Sequence, residues 1–232
     1  MDSLRETLLE TGKEGRVLTE SESKRILAQW GIPVVPCEVA TSGEEAVGLA
    51  RSIGFPVVLK ILSPDISHKS QVGGVRVNLA TDEGIRSAFH EIMENARRNA
   101  PSARILGATV QKMVTGMEVA IGVTNDRQFG HVLMFGRGGV EIESLRDVTF
   151  RLIPISVADA EEMIGDVRGF PLLKEEASQA ADVEELRSIL LKVSDLTESY
   201  PQIEGMDLNP VLVSPRGSLV ADARILVGAA DA

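Results

Sequence analysis

A lysine and the loop behind it form the most chemically suggestive segment of the sequence. Lys60 lies in an apolar run that begins at Pro56, and the following loop contains Ser67-His68-Lys69-Ser70 before it ends in Gly73-Gly74. Consecutive glycines let backbone N–H groups turn towards an anion, and a nearby lysine adds a point charge. Long loops inside compact domains are usually functional, which favours a phosphate-handling loop over a simple connecting turn.

His68 is the residue of this loop that could do chemistry. A neutral imidazole is abundant near pH 7 and can act as a nucleophile, and a phosphoryl group on its nitrogen keeps a high transfer potential. The local sequence equally allows a general base or a simple phosphate contact. His90, on a charged helix, and His131, at the start of a strand, are expected to be surface or capping residues.

The C-terminal segment predicts a β-hairpin with one polar face. A turn at Ser214-Pro215-Arg216-Gly217 places Asn209 opposite Asp222 and Asp207 opposite Arg224, and all four side chains project from the same side. An amide oxygen and a carboxylate that converge in this way suit Mg²⁺, although a solvated polar face is the simpler alternative. The opposite face is apolar and contains Met206, Leu208, Leu219, Ala221, Ala223 and Ile225.

A second glycine-rich segment runs from Phe135 through Gly136-Arg137-Gly138-Gly139 to Glu143. It follows a strand but leads into no clear helix, so it matches neither a dinucleotide fingerprint nor a P-loop. We expect a tight turn here, with Glu143 and Asp147 pointing inward.

The bulk composition restricts the class of protein. The chain has 232 residues, of which 44% are hydrophobic, and a net charge of −10, which argues against nucleic acid as a main partner. The single Cys37 excludes an internal disulfide framework or a cysteine-rich metal site. The absence of a long apolar stretch or a signal-like N-terminus leads us to expect a cytoplasmic protein without a membrane partner.

Helices and strands are mixed without regular alternation. Two capping boxes, Thr19…Glu22 and Ser42…Glu45, open the first helices, and Asp82 is expected to cap a long third helix. Further helices are predicted over 157–165, 172–180 and 182–199, and strands over 33–39, 56–61, 75–79, 105–113, 117–124, 131–135, 148–153, 206–213 and 218–225, with a turn at 125–127. Adjacent strands without intervening helices indicate antiparallel sheet, so the fold class is α+β.

Taken in order, the segments of this chain resemble one family over residues 17–228. They are Leu18-Thr19-Glu20, Gly31-Ile32-Pro33, Phe55 to Lys60, Ser63 to Ser70, Val72 to Val75, Gln111 to Val114, Gly116-Met117-Glu118, Phe135-Gly136 with Gly138-Gly139, Asp147 to Arg151, Asp207 to Pro210 and Asp222 to Ile225. The chain resembles the β subunits of ADP-forming acetyl-CoA synthetases (acetate–CoA ligases), which are ATP-grasp proteins related to the succinyl-CoA synthetase β subunit.

The resemblance implies an ATP-grasp fold, in which two α+β subdomains grip a nucleotide in the cleft between them. We expect a helical extension over 1–16, a first subdomain over 17–110 with the phosphate and histidine loop at 62–74, and a second subdomain over 111–232 with the metal-binding hairpin. The family reaction converts acyl-CoA, ADP and phosphate reversibly into the acid, CoA and ATP. The resemblance implies that a separate CoA-binding α subunit, in an α2β2 assembly, forms the acyl phosphate and that a histidine of that subunit first takes up the phosphoryl group.

The resemblance also implies roles for individual residues. His68 would carry the phosphoryl group to ADP, and Asp207 would hold the phosphohistidine or support the metal. Asn209 and Asp222 would bind Mg²⁺. The residues expected to bind the nucleotide, ATP or ADP, are Lys60, Ser70, Gly73, Gly74, Gln111, Lys112, Met113, Val114 and Glu118. Among them, the resemblance implies that Gln111 to Val114 form the hinge whose backbone meets adenine and that Glu118 is the acidic residue after it.

This sequence departs from the family pattern at Arg137 and at the acidic run Glu141-Ile142-Glu143, so the contacts of that turn stay open. Two other functions are considered. An ATP-grasp carboxylate ligase would use acyl phosphate directly and would not need His68. A non-catalytic nucleotide sensor would not need His68 together with Asn209 and Asp222.

Overall fold

The structure is a computed structural model that describes residues 15–138, 147–167 and 183–228. Within these ranges the helices are α1 Glu20–Gln29, α2 Gly43–Ile53, α3 Asp82–Asn99, α4 Val157–Asp166 and α5 Val183–Ser199. The strands are β1 Arg16–Val17, β2 Cys37–Ala40, β3 Val57–Leu62, β4 Val75–Leu79, β5 Gly107–Lys112, β6 Met117–Asp126, β7 Gly130–Arg137, β8 Val148–Leu152, β9 Ile203–Ser214, β10 Gly217–Val220 and β11 Arg224–Val227.

The chain packs into two compact units. The smaller one contains 19–22 and 35–114, and the larger one contains 15–18, 23–34 and the described residues after 114. The expected subdomain boundary at 110/111 differs from this division because β5 continues through Lys112 as part of the smaller unit's sheet. Residues 23–34, expected in the first subdomain, pack with the larger unit, whose core includes Ile26, Leu27 and Ile32.

The smaller unit is a four-stranded antiparallel sheet in the order β2-β5-β3-β4, with α2 and α3 packed on it. All six residues of β3 are buried, which explains why its sequence reads as a continuous apolar run interrupted by Lys60. Burying one such Val, Leu or Ile side chain contributes about 1.5–3 kcal/mol. Strand β3 is therefore a rigid base for the loop that follows it.

The larger unit is a seven-stranded sheet in the order β1-β11-β9-β6-β7-β8, with β10 also paired to β9. All pairs of neighbouring strands in this sheet are antiparallel, as predicted. The core of this unit includes Leu133, Phe135 and Ile121 from the sheet and Met163 from α4. The structure therefore confirms the α+β class.

The capping box predicted at Thr19…Glu22 is present, whereas only half of the one predicted at Ser42…Glu45 is, because the Glu45 carboxylate accepts the backbone N–H of Thr41 at 2.7 Å. The backbone N–H of Thr19 donates to Glu22 at 2.8 Å, and Ser42 accepts from the backbone N–H of Glu45 at 3.2 Å. The cap predicted for α3 was wrong by one residue. Thr81, not Asp82, accepts the first-turn N–H, and Asp82 instead pairs with Arg51.

Several strand bounds also differ from the prediction. The expected strand at 33–39 is confined to Cys37–Ala40, because Pro33 and Pro36 have no N–H to donate to a ladder. The expected turn at 125–127 begins later, since β6 runs to Asp126 and the carboxylate of Asp126 accepts the N–H groups of Gln128 and Phe129.

Three expectations lie on residues outside the described ranges. They are the helical extension at 1–16, apart from its last two residues, the helix at 172–180, and the contacts of Glu141-Ile142-Glu143. Among the described helices, none is long and apolar enough to span a membrane.

Candidate functional site

The loop at residues 62–74, here called the His68 loop, leaves β3 and returns into β4 within the smaller unit. Ile66 is buried in the core of that unit, and Asp65 accepts a hydrogen bond from the backbone N–H of Arg104 at 2.7 Å. His68 is exposed. The first half of the loop is thus anchored two residues before the histidine, which itself is accessible.

The glycines of the His68 loop are required by close packing at its return into β4. Gly73 has a positive φ of 69°, and a Cβ on Gly74 would lie 2.5 Å from Cγ2 of Ile61. Their N–H groups donate within the loop, from Gly73 to the carbonyl of Ser70 at 3.0 Å and from Gly74 to that of Lys69 at 2.8 Å. A phosphate contact from these two N–H groups would therefore require the turn to open.

Side chains from α3 fasten the end of the loop. Asn95 donates to the carbonyl of Gly73 at 3.2 Å, and Asn99 donates to that of Val72 at 3.1 Å. Arg76 donates to the carboxylate of Glu91 at 2.9 Å, and this hydrogen bond lowers the pKa of the Glu91 carboxyl. The segment between Ile66 and Val72 is therefore bounded by fixed points on both sides.

A buried carboxylate joins the two lysines of the region. The Lys60 ammonium donates to Oε1 of Glu20 at 2.8 Å, and the Lys69 ammonium lies 3.3 Å from Oε2 of the same residue. The Glu20 side chain is fully buried, and the Lys60 and Lys69 side chains are 7% and 14% exposed. The structure thus brings the predicted phosphate lysine and the neighbour of His68 to one carboxylate.

Glu20 was missed in the sequence. An acidic residue in the first turn of a helix is common because it complements the helix dipole, so its type and position gave no sign of a buried role. The only available signal was its place within the segment Leu18-Thr19-Glu20 that carries the family resemblance.

The predicted adenine hinge, Gln111 to Val114, begins with the last two residues of β5 and continues past the end of that strand. Gln111 is buried in the strand, and the Lys112 ammonium donates to the carbonyls of Gly54 and Phe55 at 2.8 and 2.7 Å. The Met113 N–H donates to the carbonyl of Pro56 at 3.0 Å. Because that donor is engaged, an adenine edge would have to meet other backbone groups of this segment.

In the larger unit, the C-terminal hairpin has the predicted register. Asp207 lies opposite Arg224 in the β9–β11 pair, and the N–H of Ala221 donates to the carbonyl of Pro210 at 2.9 Å. This register sets Asn209 against Asp222. The second strand, predicted as continuous over 218–225, is divided into β10 and β11, and Asp222 lies in the interruption between them.

The two faces of the hairpin separate largely as expected. Asp207 is exposed, and Asn209 and Asp222 are half-buried. The apolar side is buried at Met206, Leu208, Ala221, Ala223 and Ile225, whereas Leu219 is only partly buried. Polar oxygens are therefore concentrated on one accessible side of a rigid strand pair.

The donor set on the hairpin fits Mg²⁺. Asn209 and Asp222 supply an amide oxygen and a carboxylate, and Mg²⁺ is usually held by one or two protein oxygens together with waters and substrate phosphates. Within the described ranges, no group of three or more His, Cys, Asp or Glu side chains could hold a metal. The pair thus suits a metal that arrives with a nucleotide, whose phosphate oxygens complete its ligands.

Glu118, the acidic residue predicted after the hinge, is exposed on β6. Its carbonyl accepts the N–H of Gly138 at 2.8 Å, and a Cβ at Gly138 would lie 2.7 Å from the backbone of Val119. This close approach explains the second glycine of the 136–138 run. Arg137, the departure from the family pattern, ends β7, and its backbone N–H donates to the backbone carbonyl of Asp147 at 3.3 Å.

The chain is similar to known proteins along most of its length. The ATP-grasp domain family matches residues 10–227. The β subunit of acetate–CoA ligase (ADP-forming) I from Pyrococcus furiosus is 41% identical over 96% of this chain and 97% of its own length. Acetate–CoA ligase (ADP-forming) I from Archaeoglobus fulgidus is 44% identical over 96% of this chain, which covers 32% of that longer protein.

Two solved structures of acetyl-coenzyme A synthetase 1 from Ca. Korarchaeum cryptofilum are similar along nearly the whole chain. One, in complex with coenzyme A and Ca-AMPCP, has a TM-score of 0.90 at 45% identity and covers 96% of this chain and 99% of that chain. The other, with coenzyme A and Mg-AMPPCP, has a phosphohistidine segment pointing towards the nucleotide binding site, and its TM-score is 0.81 at 41% identity over 97% of this chain and 99% of that one. The chain therefore belongs to the ATP-grasp family, within the group of the β subunits of ADP-forming acetate–CoA ligases.

Proposed function

We propose that this chain is the nucleotide-binding β subunit of an ADP-forming acetyl-CoA synthetase and that His68 carries a phosphoryl group to ADP. The observation that carries the proposal is the exposure of His68 next to Lys69, which shares the Glu20 carboxylate with Lys60. The proposed nucleophile, His68, is thus held through Lys69 and Glu20 near Lys60, a lysine suited to neutralise phosphate charge. The relatives of the chain, described above, support the same function.

The transfer at His68 is a simple exchange of bonds. A lone pair on an imidazole nitrogen of His68 forms the N–P bond, while the bond between that phosphorus and the donor atom, which the resemblance implies to be a histidine nitrogen of the α subunit, breaks and the electron pair leaves with the donor. In the direction of ATP synthesis, a terminal oxygen of ADP then attacks the same phosphorus and the imidazole departs. Such transfers require mainly positioning and neutralisation of charge.

The remaining site residues fit the binding of a nucleotide. Lys60, with Ser70 and the Gly73-Gly74 turn, would contact phosphate, and Gln111 to Val114 would meet the adenine. Asn209 and Asp222 would hold Mg²⁺, which neutralises phosphate charge when bound. Glu118 would lie near the nucleotide, and Asp207 would hold the phosphohistidine or orient the metal ligands.

The CoA chemistry belongs to a partner in this proposal. The relatives of similar length are β subunits, and in the Archaeoglobus protein this chain matches about a third of the length. We infer a separate CoA-binding α subunit, in an α2β2 assembly. The substrates and the single cysteine suit a cytoplasmic enzyme.

Reconstitution tests the proposed function. The chain mixed with its CoA-binding partner is expected to form ATP from acetyl-CoA, ADP and phosphate, and either chain alone is expected to form none. Coupled detection of ATP, with omission of each substrate in turn, measures the requirement. ATP formation that proceeds without phosphate or without the partner would contradict the proposal.

Replacement of Asp222 tests the metal pair. Asp222→Asn keeps the shape but removes the charge, so Mg²⁺-dependent binding of ADP is expected to weaken about ten- to a hundredfold. Calorimetric titration of ADP with and without MgCl₂ measures the metal-dependent part. Glu204→Gln, an exposed change on β9 of the same unit, serves as the control. An unchanged effect of Mg²⁺ on the Asp222→Asn chain would remove the hairpin as the metal site.

A further inference from the structure

Glu20 takes no part in the chemistry proposed above, yet its buried carboxylate contacts two lysines of different kinds. Lys60 lies on β3, where every residue is buried, so its position is fixed by the core. Lys69 lies in the turn of the His68 loop, directly after the exposed histidine. Glu20 therefore links a fixed strand to the segment that carries the proposed nucleophile.

The link is suited to hold the loop in one place. Ile66 anchors the loop before Lys69, and hydrogen bonds from Asn95 and Asn99 anchor it after Lys69. The Lys69–Glu20 contact lies between these two anchors. The carboxylate is fully buried and Lys69 is 14% exposed, so bulk salt screens this attraction much less than it screens a surface pair. The contact thus restrains the part of the loop next to His68.

We propose that Glu20 and Lys69 are positioning residues that latch the His68 loop beside Lys60, in the position where His68 exchanges phosphoryl groups with the nucleotide. This inference rests on the proposed function, which gives the loop two donors to serve. The latch acts on the nucleotide side alone, because the carboxylate holds Lys69 next to the nucleotide lysine. Breaking it slows transfer between ATP and His68 and leaves transfer from the α subunit to His68 unaffected or faster.

The experiment compares the two half-reactions in the complex with the CoA-binding partner. γ-³²P-labelled ATP labels His68 from the nucleotide side, and ³²P-labelled phosphate with acetyl-CoA labels it through the partner, with rapid quenching and separation of the chains. In Lys69→Met, labelling by ATP is expected to slow about tenfold or more, while labelling through the partner stays within about twofold or rises. Calorimetry is expected to give an unchanged affinity for Mg-ADP.

Two further variants make the result specific. Lys69→Arg keeps the charge and is expected to restore most of the ATP half-reaction. Arg86→Met removes a cation from the exposed Arg86–Glu44 pair of the same unit and is expected to change neither half-reaction.

Equal slowing of both half-reactions in Lys69→Met, or no slowing of either, would overturn the latch. Weakened binding of Mg-ADP would instead make Lys69 a nucleotide contact and would also overturn it. If the unsubstituted complex takes up no label on His68 from either donor, the proposed function fails and the latch fails with it.

Discussion

Replacement of His68 by alanine is expected to abolish phosphoryl labelling of this chain and to reduce acetyl-CoA-dependent ATP synthesis by at least about a thousandfold. In the proposed path, His68 is the residue of this subunit that carries the phosphoryl group covalently. Its removal therefore leaves the phosphoryl group without a route to ADP. The His68 side chain is exposed and makes no contribution to the core. Exposed substitutions of this kind usually change stability by less than about 0.5 kcal/mol, so the fold and the binding of ADP should persist.

Phosphohistidine is recognised by its contrasting stability in acid and base, which distinguishes it from phosphoserine and acyl phosphate. Treatment of the labelled chain under each condition, followed by identification of the labelled peptide, measures the prediction. His90→Ala is the matched control, because His90 is an exposed histidine on α3 of the same unit, beside Glu94. It is expected to leave labelling and ATP synthesis unchanged.

The His68→Ala result also separates the alternative functions. A carboxylate ligase that uses acyl phosphate directly would keep its activity without His68, and a nucleotide sensor would show no turnover before or after the change. Full ATP synthesis by His68→Ala with its α partner would therefore remove the carrier role and leave the direct ligase as the better account.

The sequence predicted the parts of the fold that depend on local patterns. The register of the C-terminal hairpin followed from the turn residues and the alternation of two, because a turn fixes which residues face each other. The division of its second strand at Ala221–Ala223 could not be foreseen, since those residues continue the same alternation. The strand expected at 33–39 is shortened by Pro33 and Pro36, which have no N–H groups to donate to a neighbouring strand.

The candidate site was predicted unevenly for a related reason. Lys60, His68 and the two glycines were identifiable because they are unusual in their local context. Glu20 was not, because its role depends on burial against residues forty or more positions away, Lys60 and Lys69. The use of the Gly73 and Gly74 N–H groups inside the loop likewise depends on its folded turn, which composition does not reveal.

Removal of the Glu20 carboxylate is expected to produce the largest loss of stability among the site residues. Glu20→Ala leaves two lysines, 7% and 14% exposed, without the carboxylate that they share. Loss of one partner from a buried ion pair typically costs about 3–5 kcal/mol, because the remaining charge stays desolvated. Lys60→Met should cost less, since Glu20 keeps its contact with Lys69.

The measurement must report on the smaller unit. Trp30, the single tryptophan, belongs to the larger unit, so its fluorescence would follow the wrong part of the chain. Hydrogen exchange of the β3 and β5 amides under mild denaturant follows the sheet that holds Lys60. Glu44→Ala breaks an exposed pair with Arg86 and is expected to leave the stability almost unchanged, which makes it the control.

A double replacement shows whether the cost arises from charge or from packing. Buried ion pairs can often be exchanged for apolar side chains of similar volume with little loss, because neither charge then needs to be desolvated. Glu20→Met combined with Lys60→Met is therefore expected to be more stable than Glu20→Met alone, with Lys69 turning towards solvent. If the double variant is as unstable as Glu20→Met alone, the Glu20 side chain stabilises the unit through its packing. The charges of the cluster then serve phosphoryl transfer alone. If stability recovers while labelling of His68 by ATP does not, the cluster is retained at a cost in stability for phosphoryl transfer, to which both the charge of Lys60 and the position of the loop contribute.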